Sequence, residues 1–123
     1  MEKLKRPRVT KGPTTKIVTG CGNMYITEGY EGDRLIEVFA SLGKSGGCAK
    51  CQGEAITRCL SLGLKYGIPI IEFIKELEGL RCVSPSWDQG KQIYSCPDAI
   101  AKVLGGIFNE STSDSTKKVP SEV

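Results

Sequence analysis

Residues 14–27, TTKIVTGCGNMYIT, decide how this chain is expected to fold. β-Branched and aromatic residues lie on both sides of Gly20-Cys21-Gly22-Asn23, a run typical of a tight turn, so the stretch predicts two strands joined as a hairpin. The polar segment 28–33 predicts a loop, and segment 34–42 predicts a third strand paired with the second. The sequence therefore predicts an antiparallel sheet in this part of the chain.

Helical periodicity begins at about Gly47. Gly67 is a suitable left-handed C-cap for this first helix, and Pro69 fits the first turn of a second helix, which Gly79 ends. Segment 81–92 lacks periodicity and predicts a loop, with Trp87 packed against the core.

A third helix is expected to begin at Ser95-Cys96-Pro97-Asp98. Ser95 is a natural N-cap, Asp98 stands where a capping-box carboxylate would stand, and Pro97 is tolerated in the first turn. This order of elements predicts an α+β fold, a small antiparallel sheet of about three strands packed with about three helices.

The composition is that of one compact domain, since 39% of the 123 residues are hydrophobic. We assign this domain to residues 13–109. Residues 110–123 are polar and are predicted to be disordered, because they cannot bury enough surface to offset the entropy of ordering. Residues 1–12 form a basic arm, in which one acidic residue faces five cationic ones: Lys3, Lys5, Arg6, Arg8 and Lys11.

The basic arm could contact nucleic acid or an acidic protein through Coulomb attraction, although a terminal charge run is more often solvated chain. No apolar run approaches the ~20 residues that span a bilayer, and the N-terminus lacks the apolar stretch of a signal peptide. We therefore expect no membrane contact and a cytoplasmic location. The six cysteines should then be reduced, which favours metal ligation or thiol chemistry.

Four cysteines lie at predicted element boundaries: Cys21 in the hairpin turn, Cys48 and Cys96 at helix starts, and Cys82 after a helix. Turns and helix starts let thiolates project toward a shared point, so these four residues suit one tetrahedral Zn²⁺ or an iron–sulfur cluster. The chain has no histidine to replace them or to form a usual nucleophile–base pair.

Two more cysteines lie within the first predicted helix. Cys51 forms a CxxC motif with Cys48, which is typical of zinc sites and of redox sites. Cys59 follows in mid-helix beside Leu60, and we predict that it is a small hydrophobic residue of the core.

Several motifs occur in a characteristic order: Thr19-Gly20-Cys21-Gly22, Gly43-Lys44-Ser45-Gly46-Gly47-Cys48, Leu80-Arg81-Cys82 and Ser95-Cys96-Pro97-Asp98-Ala99-Ile100-Ala101-Lys102. In these motifs the chain resembles the TSCPD domain, which occurs at the C-terminal side of adenosylcobalamin-dependent, class II, ribonucleotide reductases and as short stand-alone proteins. The resemblance spans roughly residues 6–105. It implies one shared metal site formed by Cys21, Cys48, Cys82 and Cys96, with Cys51 as an alternative ligand.

The resemblance implies a metal-binding module accessory to deoxyribonucleotide synthesis and related to vitamin B12-dependent ribonucleoside-diphosphate reductase, with a reductase or another protein as partner. The barrel, the thiyl-radical cysteine and the cobalamin site of full reductases have no counterpart here, so we expect no cobalamin and no catalysis by the chain alone. Two other functions stay open. One is a thiol-redox protein that uses Cys48 and Cys51, and the other is a nucleic-acid or protein adaptor that uses the basic arm.

Overall fold

The first three strands form one antiparallel sheet. The computed structural model describes residues 2–42 and 47–106. Within them, β1 (Thr14–Thr19), β2 (Gly22–Glu31) and β3 (Arg34–Leu42) lie side by side in that order. The predicted hairpin and the predicted third strand are confirmed.

β2 is longer than the sequence predicted, because segment 28–33 is not a loop throughout. Its pairing with β3 continues to Glu31 and shifts register between Gly29 and Tyr30. The backbone of Tyr30 also pairs with Lys11 on the opposite side. These residues therefore have strand partners on both sides, which the polar composition of the segment does not reveal.

Three helices follow: α1 (Gly47–Lys65), α2 (Ile70–Leu77) and α3 (Cys96–Leu104). Gly67 and Gly79 have φ values of 96° and 80° just after α1 and α2, so both predicted helix ends are confirmed. In the described part of the chain, no helix is both long and apolar enough to cross a membrane.

The core lies between one face of the sheet and the helices α1 and α3. Each buried aliphatic side chain contributes on the order of 1.5–3 kcal/mol to folding. The main members of this core come from the sheet, from α1, from α3 and from the segment before α3: Ile17, Met24, Ile26, Val38, Leu60, Leu64, Ile93, Ala99, Ile100 and Val103. This packing confirms the α+β architecture.

Segment 81–92 was predicted to be a loop, but it contains most of a short hairpin, β4 (Ser86–Asp88) and β5 (Lys91–Ile93). The Ser86 hydroxyl donates to the Val18 carbonyl at 3.0 Å, and the Val18 N–H donates to the Asp88 carboxylate at 2.8 Å. Trp87 lies between these two residues and is 63% exposed. Its predicted packing on the core is wrong, because neighbouring strand residues point to opposite faces.

Residues of the basic arm are bound to the body of the protein. The Leu4 N–H donates to the Lys65 carbonyl at 2.8 Å. Arg6 and Thr10 both donate to the carboxylate of Glu37 in β3. The arm is therefore placed along the sheet and the end of α1, whereas the predicted tail, residues 110–123, lies outside the described residues.

Candidate metal centre

The turn between β1 and β2 is organised by the buried side chain of Thr19. Its hydroxyl donates to the Gly22 carbonyl at 2.7 Å and accepts the Cys21 N–H at 3.1 Å. The Cys96 thiol donates to the same oxygen, with 3.8 Å between Sγ and Oγ1. Thr19 therefore fixes the Cys21 turn and places Cys96 next to it.

The loop that carries Cys82 packs directly on this turn. A side chain at Gly20 would overlap the carbonyl oxygen of Ser84, so the two backbones meet where only glycine fits. The Cys82 N–H donates to the Tyr94 carbonyl at 3.0 Å. The Ser84 N–H donates to the Cys82 sulfur at 3.3 Å, a contact that could orient the sulfur as a ligand.

Cys96 is the first residue of α3 and is buried. The predicted N-cap is confirmed, because the Ser95 hydroxyl accepts the Asp98 N–H at 3.1 Å. The same hydroxyl donates to the Leu80 carbonyl at 2.6 Å. The cap therefore starts the helix and also holds the segment that leads into Cys82.

The carboxylate of Asp98 has a different role from that of a capping box. It accepts the Gly79 N–H at 2.7 Å and the Tyr94 N–H at 2.9 Å, and it forms an ion pair with Lys102 at 2.7 Å. The side chain is fully buried. Gly79 and Tyr94 lie on the two sides of Cys82 along the chain, so Asp98 closes the Cys82 segment onto α3.

Neighbouring thiols affect the charge of Cys96. Burial raises the pKa of the Cys96 thiol, the contact with Thr19 lowers it, and the nearby thiols of Cys21 and Cys82 raise it further. Like charges disfavour one another at short range, so the thiolate form of Cys96 beside these two sulfurs needs compensation. A cation bound between the three sulfurs would supply that compensation.

These three thiols are neighbours, but they do not have the geometry of a formed metal site. Among residues 2–42 and 47–106, no group of three or more Cys, Asp or Glu side chains stands at metal-ligating positions. Cys48 and Cys51 are exposed in the first turns of α1. The structure thus brings Cys21 and Cys82 close to Cys96. Cys21 and Cys82 are exposed, as Cys48 is.

Cys59 is also exposed, so its predicted burial is wrong. The reason is the helix face that α1 uses for packing, which consists of small and aliphatic residues: Gly53, Thr57, Leu60, Ser61 and Leu64. Cys48, Cys51 and Cys59 lie on the opposite side of the helix. The tendency of cysteine to be buried therefore does not predict which side of α1 is buried.

Cys48 is nevertheless at the same end of the sheet as the three thiols. Leu42, the last residue of β3, pairs with Met24 close to the β1–β2 turn. Met24 also lies against Gly53 in α1, 3.6 Å from where a Cβ would stand. The first turns of α1 are therefore near this end of the sheet.

Sequence reasoning missed Thr19 and the loop contacts of Asp98. A threonine before Gly-Cys-Gly could have indicated a side chain that bonds to its own turn, because threonine hydroxyls often do so. The partners of Asp98 carry no comparable local signal, since Gly79 is 19 residues away.

Comparison with known proteins agrees with the resemblance found in the motifs. The family model of the TSCPD domain matches residues 2–107. A vitamin B12-dependent ribonucleotide reductase of Bradyrhizobium diazoefficiens is 35% identical over 74 residues, which are 59% of this chain and 6% of that protein. The corresponding protein of Agrobacterium fabrum is 32% identical over 75 residues, 60% of this chain and 6% of that protein.

A third such reductase, from Streptantibioticus cattleyicolor, is 30% identical over 76 residues, 61% of this chain and 13% of that protein. The chain therefore corresponds to only a small part of each of these relatives. No solved structure matches the chain. Because the family model covers most of its length, the chain belongs to the TSCPD domain family and is related to one segment of the vitamin B12-dependent ribonucleotide reductases.

Proposed function

We propose that this chain is a metal-binding TSCPD module in which Cys21, Cys82 and Cys96 supply three thiolates and Cys48 supplies the fourth, with Cys51 as the alternative. The observation that supports it most is the convergence of the first three cysteines around Thr19 and Gly20. Each comes from a different segment of the chain, so simple core packing does not explain why all three meet there.

The chemistry of the donors fits Zn²⁺. Zinc prefers four sulfur or nitrogen ligands in a tetrahedron, and the site has thiols but no histidine. When bound, the ion would supply folding free energy, on the order of 10 kcal/mol for structural zinc. An iron–sulfur cluster on the same thiolates is the alternative. Closing the tetrahedron requires the thiol of Cys48, in the first turn of α1, and the three other thiols to bind the same ion.

The proposed role is accessory to deoxyribonucleotide synthesis in the cytoplasm. The relatives are vitamin B12-dependent ribonucleotide reductases, and this chain corresponds to a small segment of them. We propose that it binds such a reductase and neither carries a cobalamin nor catalyses the reaction alone. Co-elution of metal-loaded chain with a purified reductase tests this part, and separate elution at micromolar concentrations of both proteins would contradict it.

Elemental analysis and an absorbance spectrum of anaerobically purified protein test the metal site. We expect about one zinc per chain, and we expect the metal to be lost in C21S, C82S and C96S. C59S is the matched control, because Cys59 is exposed like Cys48 but lies about 16 Å further along α1. Visible absorbance with bound iron would select the cluster, whereas folded protein without metal would contradict the proposal.

A thiol-redox function is the second candidate, because Cys48 and Cys51 are both exposed at the start of α1. In this reaction the two thiols would form one disulfide and pass two electrons and two protons to a disulfide substrate. The test is reduction of a disulfide peptide by wild type and by C51S. Equal rates, or loss of the rate in C96S as well, would contradict a reaction carried by the CxxC pair.

A further inference from the structure

The folded-back basic arm forms a cleft with the end of α1. The cleft has a volume of about 380 Å³ and is lined by Lys3, Leu4, Lys5, Arg6 and Lys65. These residues carry four positive charges and no negative charge. The sequence showed the basic arm, but it did not indicate that Lys65, about sixty residues away, would join it.

Two contacts hold this cleft in shape. The Leu4 N–H donates to the Lys65 carbonyl at 2.8 Å and fastens the start of the arm to α1. The Arg6 guanidinium binds Glu37 through Nε at 2.8 Å and Nη2 at 2.9 Å. These contacts fix the arm at Leu4 and at Arg6, and Lys3 and Lys5 line the cleft together with Lys65.

The available charge comes from the lysines. Nη1 of Arg6 donates to the carbonyls of Pro7 and Arg8, and its other two nitrogens are bound to Glu37, so this side chain is mostly committed. Neither of the ion pairs in the described residues involves Lys3, Lys5 or Lys65. Three lysines therefore line one cleft. The nearby carboxylate of Glu37, whose charge Lys65 also feels, is already bound by Arg6 and Thr10.

We propose that this cleft is a binding site for a compact polyphosphate group, such as that of a nucleoside triphosphate or of inorganic polyphosphate. Ammonium groups act as point charges for phosphate oxygens and need no fixed bidentate geometry. An extended nucleic-acid backbone would need cations spaced along a track, whereas these cations line one short cleft. This site is independent of the cysteines and goes beyond the proposed metal-binding function.

Calorimetric titration of the full-length protein with inorganic tripolyphosphate tests the proposal. We expect saturable binding of one equivalent in low salt. K65Q and the double variant K3Q/K5Q should weaken it by about fivefold per lysine, since one charge at contact distance in water corresponds to about that factor. K91Q is the matched control, because Lys91 is exposed in β5 and does not line the cleft.

Three further ligands distinguish binding of a polyphosphate group from binding of a single phosphate or of a nucleic-acid backbone. ATP should bind at least as tightly as tripolyphosphate, and AMP at least tenfold more weakly, because it presents one phosphate. A single-stranded oligonucleotide should be displaced by tripolyphosphate. The proposal is overturned if K65Q and K3Q/K5Q bind like K91Q, if AMP binds as well as tripolyphosphate, or if the oligonucleotide resists displacement.

Discussion

Asp98 and Glu37 are both buried carboxylates, and each fastens a segment without long regular structure. Asp98 holds the segment that contains Cys82, through two backbone N–H groups and the nearby Lys102. Glu37 holds the basic arm through the side chains of Arg6 and Thr10, 31 and 27 residues away. Both segments contain candidate ligand-binding residues, Cys82 in the first and Lys3 and Lys5 in the second.

The two anchors differ in exposure. Asp98 is fully buried and its cation is 21% exposed, whereas Arg6 at the other anchor is 45% exposed. A buried charge left without its partners is costly, while an ion pair open to water contributes little. We therefore expect the Cys82 segment to be a fixed part of the fold and the arm to be attached by a weaker, charge-dependent contact.

Among the variants considered, D98A is expected to lower the stability of the protein most. This change leaves the Lys102 ammonium and two N–H groups without their acceptor, which should lower the free energy of unfolding by about 3–5 kcal/mol. Urea denaturation measures this loss. E76A, at an exposed position in α2, should change it by less than about 0.5 kcal/mol, and an equally small effect of D98A would show that Asp98 is not an anchor.

T19V tests the turn on which the Cys82 segment packs. Valine keeps the shape of threonine but removes the acceptor of the Cys21 N–H and the donor to Gly22, so we expect a loss of about 1–3 kcal/mol. T57V is the matched control, because Thr57 is equally buried but bonds only to carbonyls of its own helix. If the two variants are equally stable, the Thr19 contacts contribute nothing specific.

E37Q should affect the arm more than global stability. Glutamine retains an acceptor but loses the charge that binds Arg6, so the arm should open more often. Hydrogen exchange of the Leu4 amide, which donates to Lys65, should become faster in E37Q and stay unchanged in the conservative variant D98N. Faster exchange in both variants would mean that the two anchors are not independent.

The smallest effect is a pH dependence at the Glu37 anchor. Hydrogen bonding and charge from Arg6 lower the pKa of Glu37 despite its burial. Its contribution to stability is therefore present above the ordinary glutamate pKa, about 4.3, and is lost as pH falls through the lower folded value. The stability difference between wild type and E37Q should shrink below about pH 4.3.

The contribution of Glu28 to stability has the opposite pH dependence, because burial raises the pKa of Glu28. Its contribution is the same in wild type and in E37Q, so it cancels in that difference. A difference that stays constant between pH 7 and pH 3 would contradict a charge-dependent anchor at Glu37.

Local signals in the sequence predicted most of the fold. Ser95 and Pro97 gave the start of α3, Gly67 and Gly79 gave two helix ends, and the Gly-Cys-Gly run gave the β1–β2 turn. The errors came from contacts that join distant segments. Cys59 is exposed because of the face that α1 presents to β3, and Trp87 is exposed because Ser86 and Asp88 bind β1.

The candidate site shows the same division. Helix starts and turns marked Cys21, Cys82 and Cys96 as boundary residues, and the structure places these three together. The basic arm was visible as a charge run, but its attachment depends on Glu37 and Lys65, far along the chain. Which side chains meet in the site therefore depends on long-range packing that composition and spacing do not contain.

Cobalt substitution tests the central claim most directly, because sulfur-to-cobalt absorbance reports the number of thiolates bound in a tetrahedral site. Metal-free protein titrated anaerobically with Co²⁺ should show four thiolates, falling by one or losing the metal in C21S, C82S, C96S and C48S, and staying unchanged in C59S. If the wild-type spectrum shows three thiolates, only the assignment of the fourth ligand, Cys48, is wrong. Co²⁺ spectra without thiolate absorbance, or unchanged in C96S, would contradict the account.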